Sequence, residues 1–337
     1  MKTQYYLLFA LLILTTSSSV RAGKYAADFL RIGVGARATS MGGAYTALAN
    51  DASAFYWNPA GMAEVPRLAL QFDHVPMFNG LAQYNVAHAA LSLRNHIAIG
   101  VSWIRLGVDD IPRYAPLAGT RLQRLTTGVH RSTGIADGSF SDAEDAILVS
   151  FAKKISFELG VGPRSSMLIL PIELSLGVTG KYISHKLDDK TGTGQGLDVG
   201  VLARTVSTTR DRHEPVSWLG LGVLARDVSR TSITWNTDSG HEDQVEPGLI
   251  AGLAGSHYFR SFESRLTLSV DQEVMPYSDT HIGAEFTFLH VASLRAGLLN
   301  TNFTAGAGLQ FKSFRIDYAF VTHDLGNTHR VSGVVGL

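Results

Sequence analysis

Twelve histidines, many serines and several acidic pairs could supply catalysis or metal binding in this 337-residue chain, but their spacing does not assemble a site. No two histidines stand four apart, and no HExxH occurs, so the helical spacing that places two imidazoles on one metal is missing. There is no cysteine, which removes thiolate nucleophiles, disulfides and cysteine metal sites. Serines are plentiful, yet none sits in a GxSxG elbow. Gly33-Val34-Gly35 and Met41-Gly42-Gly43 lack the Lys-Ser/Thr ending of a phosphate loop and read as points of close backbone packing. Asp109-Asp110 and Asp188-Asp189 read as solvated loop charges, with weak calcium binding as the alternative. One set shares a pattern: Asp271, Glu285, Arg295, Arg315 and Asp317 fall on the polar side of alternating stretches. They are expected to face a common interior, as an ion network or as a hydrated wall. These residues point to holding and passing rather than bond making. No enzyme activity, cofactor or metal is expected.

The elements that must carry those charges are strands. In Ile97, Ile99, Val101 and Trp103 one face is apolar, while Ala98, Gly100 and Ser102 make the other. The same alternation runs through 171–179, 265–271, 280–288 and 314–320. Fourteen strands are predicted, near 67–73, 83–94, 96–106, 145–156, 171–186, 194–206, 216–227, 247–257, 264–273, 280–289, 291–299, 302–311, 313–322 and 328–337. Most reach the roughly 9–11 residues that a tilted strand needs to cross a bilayer. An even number of such strands suits an antiparallel transmembrane β-barrel, whose closure leaves no sheet edge in hydrocarbon. Short connections at 94–96, 258–263, 290 and 312–313 belong to the inner side, and 107–144 and 228–246 are the long outer loops. The connections 157–170 and 207–215 are longer than that rule favours. Trp103, Tyr258, Phe259, Tyr277 and Tyr318 are placed as interface girdle residues.

Composition agrees. Charged residues make up 17% of the chain, against about 25% in soluble domains. Glycine, at 34 residues, fits small positions facing a lumen. Basic and acidic residues balance at 29 each, which argues against a nucleic-acid partner. Residues 1–22 have the charge, apolar run and small-residue ending of a cleaved export signal, with cleavage expected after Ala22. Export and strand pattern together place the chain in the cell outer membrane, with outer-membrane lipid as its first partner. A secreted soluble β-sandwich binder would show the same alternation with its apolar face inward, and stands as the alternative from another class.

Between the signal and the first strand lies a segment, 23–66, that is rich in small residues and carries most of the motifs. Its residues Gly33, Gly35, Arg37, Met41, Gly42, Gly43, Asn50, Asp51, Trp57, Asn58, Pro59, Ala60 and Gly61 resemble the N-terminal signature of the PorV/PorQ family, within the superfamily of long-chain fatty-acid (FadL) transporters. The resemblance implies a fourteen-stranded barrel over 67–337, its bore occupied by residues 23–66 as a hatch. PorV-type members serve type IX secretion by docking exported cargo proteins, which makes cargo or secretion components the first expected partners. FadL-type members pass hydrophobic small molecules, and Leu30, Ile32, Met41, Phe55, Tyr56 and Met62 would then line an apolar pocket in the bore.

Overall fold

The computed structural model describes residues 26–65, 67–114, 119–127, 134–163, 167–207, 216–323 and 326–337. The export-signal stretch lies outside the described residues, as does most of the expected 207–215 connection.

Period-two alternation becomes sixteen strands in one antiparallel sheet. They are β1 (Leu68–Met77), β2 (Ala82–Leu93), β3 (Ile97–Arg113), β4 (Gly138–Val161), β5 (Leu168–Leu187), β6 (Lys190–Ser207), β7 (Ser217–Arg226), β8 (Ser232–Trp235), β9 (Glu242–Gln244), β10 (Gly248–Phe259), β11 (Ser264–Met275), β12 (Thr280–Phe288), β13 (Ala292–Leu299), β14 (Asn302–Phe311), β15 (Phe314–Val321) and β16 (Thr328–Gly336). Strands β8 and β9 form a hairpin that bonds only to the start of β6, beyond the wall. The other fourteen pair in turn, and β1 pairs with both β2 and β16, so the sheet closes on itself. Closure satisfies the peptide groups of the spanning wall without water, which hydrocarbon requires.

The faces sort as a membrane barrel demands. Leu219 and Leu221 of β7, Leu294 of β13, Leu309 of β14 and Ile316 of β15 all point outward and are 60–66% exposed to the surroundings. Inward positions carry buried Gln71, Asp73, Thr179, Arg204, Asp271, Glu285, Arg295 and Asp317. A ring of exposed large side chains is costly in water and favourable in lipid, so the apolar face is the outside and the soluble sandwich is excluded. The fold is that of bacterial outer-membrane barrels.

Each of the fourteen expected strands is present, with shifted ends. Strands β3 and β4 continue to Arg113 and from Gly138, so the outer loop is shorter than 107–144. The ladder passes Asp109-Asp110 through a register shift between Val108 and Ile111, which is how an acidic pair interrupts the alternation without ending the strand. The expected 157–170 connection is mostly strand, because β4 and β5 stay paired to Val161 and Leu168. Tyr258 is buried and shares the inward parity of β10, so it is not a girdle residue; Phe259, its neighbour, faces out. Tyr277 follows β11, under the Arg31 guanidinium at 4.5 Å. Trp103 and Tyr318 do face outward, and each ties its polar edge to a neighbouring strand, Trp103 to Asp145 and Tyr318 to His329.

Residues 26–65 lie inside the ring. Their regular pieces are short: 3-10 turns at Asp28–Arg31 and Pro59–Glu64, and helical turns at Ala36–Ser40 and Ala54–Trp57. Such pieces are too short to be stable alone and take their order from the wall around them.

Candidate functional site

The wall accommodates the N-terminal segment by giving up side chains. Gly177 of β5 is paired with Gly200 of β6, Gly222 of β7 with Gly252 of β10, and Gly283 of β12 with Gly297 of β13. A Cβ at Gly177 would collide with the Pro59-Ala60 backbone, and one at Gly200 with the Asn58 side chain. At Gly222 it would meet the Thr46 backbone, and at Gly297 the Met41-Gly42 peptide. The segment reciprocates at Gly42, whose φ of 66° and contact with the Leu298 backbone leave no place for a side chain.

Polar wall residues then bond to the segment's backbone, answering the peptide groups that short turns leave unpaired. Asp271 accepts from the Tyr45 and Thr46 amides at 2.8 and 2.7 Å, and Asp73 from the Gly35 amide at 2.9 Å. Arg330 donates to the Ile32 and Gly33 carbonyls at 2.9 and 3.0 Å, and Arg204 to the Leu48 carbonyl at 3.0 Å. Thr304 accepts from the Gly42 amide and donates to the Ser40 carbonyl. Within the segment, Trp57 donates its indole N–H to the Val34 carbonyl. Asn58 caps the turn that Pro59 opens by accepting from the Ala60 amide, and it donates to the Thr46 and Val201 carbonyls. Gly61 sits against the backbone of Ala49.

Six charges close into a ring. Arg37 grips Glu285 with two hydrogen bonds, at 2.8 and 2.7 Å. Glu285 accepts from Arg295 at 2.6 Å, and Arg295 donates to Asp317 at 2.8 Å. Asp317 accepts from Arg315 at 2.7 Å; Arg315 donates to Asp51 at 2.8 Å, and Asp51 returns to Arg37 at 3.3 Å. Three guanidinium groups thus alternate with three carboxylates, so the ring is neutral. Arg37 also donates to Asn50 at 2.8 Å. Asp51 belongs to the segment rather than to a spanning strand. Burial alone would raise its carboxyl, but Arg315, Arg37 and hydrogen bonds from Ser53 and Tyr45 outweigh burial and hold it well below the usual carboxylate range. The Tyr45 phenol, buried against Asp51, is pushed up and stays neutral.

The outer half of the bore is open. A cavity of about 370 Å³ lies between the segment and the outer ends of the strands. Ile32, Tyr56 and Trp57 form its floor, and Met77, Ile250, Leu299 and Val321 its apolar sides. Polar groups share the lining: Arg31, bound to Glu273 at 3.3 Å, Arg226, which lies over the Tyr56 ring at 5.0 Å, Arg330 and His281, together with Asp271, Asp279, Asn300, Asn302 and His323. A smaller recess of about 50 Å³ adjoins it beside Leu30. Next to that recess, Lys181 bridges Asp198 and Asp227 at 2.8 and 2.7 Å, fastening the 227–247 connection over the mouth.

Among the residues expected to line an apolar pocket, Ile32 and Tyr56 line the large cavity and Leu30 the small one. Met41, Phe55 and Met62 are fully buried instead: Met41 lies against Gly283 and Gly297, Phe55 stacks on His88 at 4.4 Å, and Met62 meets Gly100. Of the expected interior charges, Glu285, Arg295, Arg315 and Asp317 come together in the ring, and Asp271 stands apart on the segment's amides. Sequence reasoning passed over Asp73, Arg204, Arg226, His281, Thr304 and Arg330. Their signal was available: each is a polar residue at an inward parity of its strand.

An uncharacterised protein family (UPF0164) matches residues 13–105, which take in the segment, β1, β2 and β3 as far as Arg105. No curated protein matches the chain. Among solved structures, a TodX monoaromatic hydrocarbon channel mutant is similar at 13% identity and a TM-score of 0.46, covering 90% of this chain and 98% of its own. The Ralstonia pickettii toluene transporter TbuX is similar at 13% identity and 0.40, covering 90% and 97%. A Pseudomonas aeruginosa FadL homologue follows at 11% identity and 0.38, covering 86% and 95%.

Proposed function

We propose that this chain is a plugged outer-membrane channel that takes small hydrophobic molecules into the outer half of its bore. In this reading residues 1–22 are a cleaved export signal, 23–66 the hatch and 67–337 the barrel. The observation that carries it is the cavity of about 370 Å³, with an aromatic floor and with Met77, Ile250, Leu299 and Val321 set among polar groups on its sides, at the outer end of the bore. That volume falls within the range of ligand sites, roughly 300–1,000 Å³. The glycine pairs and the charge ring close the bore below it, so onward passage is a movement of the hatch. The test is saturable quenching of Trp57 fluorescence by a series of alkylbenzenes, with the purified barrel in detergent. Ile250→Phe, which fills the cavity without adding a fluorophore that reports on Trp57, should weaken binding about tenfold or more. Equal quenching in the filled variant would sink the proposal.

Cargo docking, the reading attached to the segment's resemblance to PorV/PorQ proteins, places the working surface on the outer loops instead. It predicts that trimming the outer connections abolishes capture of exported proteins while alkylbenzene binding persists.

A further inference from the structure

Arg226 stands apart from the other cations of the outer bore. It is the last residue of β7 and pairs with Gly248 of β10, where a Cβ would already touch its stem at 3.4 Å. The glycine leaves the stem room to cross, and the guanidinium comes to rest over Tyr56. That ring is itself fixed, since the Tyr56 hydroxyl donates to the Leu30 carbonyl at 2.6 Å. The neighbouring cations are all committed: Arg31 to Glu273, Arg330 to two carbonyls, and Lys181 to two carboxylates. Among the described residues no acceptor bonds to the Arg226 guanidinium, although it carries five N–H donors. Arg330 keeps a sealed Nε, whereas the Arg226 nitrogens are reachable from the cavity.

One carboxylate nearby is half used. Glu273 is buried on the inward face of β11 and accepts from Arg31 through Oε1. Its Oε2 has no donor among the described residues, and it too is reachable. Arg226 and Glu273 attract each other, yet they form no ion pair. Both line the large cavity and also the recess beside Leu30, as do Arg31 and Tyr56. A free donor and a free acceptor therefore face one gap, above an aromatic floor. The charges around that gap decide what fits it. Three carboxylates line the large cavity and three more the recess, against four cations: Arg31, Lys181, Arg226 and Arg330. An anionic head would add to the surplus of carboxylates, and a cationic head would face Arg226. A hydroxyl is neutral, and it both accepts and donates.

We infer that the cavity selects hydrophobic molecules that end in a hydroxyl group, with alkylphenols as the best fit. The hydroxyl oxygen accepts from Arg226, and the O–H donates to Glu273 Oε2. The ring of the ligand lies on Tyr56 and Trp57, and its alkyl tail lies against Ile250 and Val321. Arg226 and Glu273 are then the residues that set specificity. A site built to hydrogen-bond a hydroxyl penalises the analogue that lacks it, because its own polar groups are left unpaired. The inference rests on the channel reading and narrows it to one class of ligand.

The test is calorimetric titration of the full barrel in detergent, with the heats of empty micelles subtracted. The ligands are propylbenzene, 4-propylphenol, 4-propylanisole and 4-propylbenzoate, at pH 7, where the phenol is neutral. The phenol should bind about tenfold or more tighter than propylbenzene. The anisole, which accepts but cannot donate, should fall between them, and the benzoate should bind no tighter than the hydrocarbon. Arg226→Met should erase the advantage of the phenol while propylbenzene still binds, which also shows that the variant is folded. Equal binding of phenol and hydrocarbon overturns the inference and leaves the channel reading standing. So does a benzoate that binds tightest, or a phenol advantage that survives Arg226→Met. An anisole equal to the phenol overturns the part given to Glu273. Absence of binding by all four ligands to a barrel that migrates as a folded band overturns the channel reading, and the inference with it.

Discussion

One strand displays the difference between the two halves of the bore. On the inward face of β12, His281 lines the outer cavity, Gly283 meets the N-terminal segment, and Glu285 joins the charge ring, at successive steps of two residues. The outer half keeps space and unevenly committed cations: Arg226 finds an aromatic face at Tyr56, and Arg31 a single carboxylate. In the inner half every charge of the ring has two opposite neighbours, and glycines admit backbone to backbone contact. The contrast teaches that wall and segment are joined below and separated above, so substitutions at the two levels should act on different observables.

The largest effect is expected where backbone meets backbone. Gly297→Leu puts a side chain where the Met41-Gly42 peptide lies, and no rotamer relieves that overlap. The barrel should still close, since outward packing and the ladder are untouched, but the segment cannot seat. Planar-bilayer conductance should rise about tenfold or more over the parent, and limited proteolysis should cut within 26–65. A closed, protease-resistant Gly297→Leu barrel would show that the inner half is not a seal.

Next comes the ring. Glu285→Gln leaves Arg37 and Arg295 buried together with one carboxylate fewer, the situation that costs about 3–5 kcal/mol when a buried pair is broken. Denaturant unfolding in detergent should show that loss, and Glu285→Gln with Arg37→Gln should recover part of it. A loss below about 1 kcal/mol would mean that water reaches the ring and screens it.

The ring also sets a pH dependence. Because Asp51 is held below its ordinary value of 3.8, its contribution is complete above that value and is lost as pH falls toward the folded one. The difference in protease protection between the parent and Asp51→Asn should therefore be the same at pH 7 and pH 5, and should shrink only below about pH 4. In Asp51→Asn the decline below that pH should be shallower and the protection lower throughout. A parent-to-variant difference that already shrinks between pH 7 and 5 would overturn the role given to Asp51.

Much of this was legible before the fold. Alternation identified all fourteen spanning strands because a wall between lipid and lumen enforces opposite chemistry on adjacent residues. The charges at 285, 295, 315 and 317 stood out as ionised groups inside otherwise apolar stretches. What stayed hidden was partnership. That Arg37 would meet Glu285, across 248 positions, depends on the cross-strand register and on how far the segment enters the bore, and neither is written locally. Strand ends were equally obscure: the alternation of 155–161 resembles a loop only when its partner at 168–174 is not considered. The pairing of glycines across strands was invisible for the same reason, since each looked like one more small residue among 34.

The smallest predicted effect lies in the outer half and is the sharpest test of the contrast. Arg226→Met removes a cation from the cavity wall, keeps an unbranched apolar stem against Tyr56, and touches neither the ring nor the glycine contacts. Denaturant stability should fall by about 1–2 kcal/mol, less than for the ring, since the cation–π contact is lost together with the attraction of Glu273, Asp198 and Asp227. Conductance and proteolysis of 26–65 should match the parent. Alkylbenzene binding, which has no use for a charge, should strengthen two- to threefold, about 0.4–0.6 kcal/mol. If Arg226→Met instead opens the channel, the two halves are coupled through Tyr56 and its hydrogen bond to the Leu30 carbonyl, and the division drawn along β12 fails at that point.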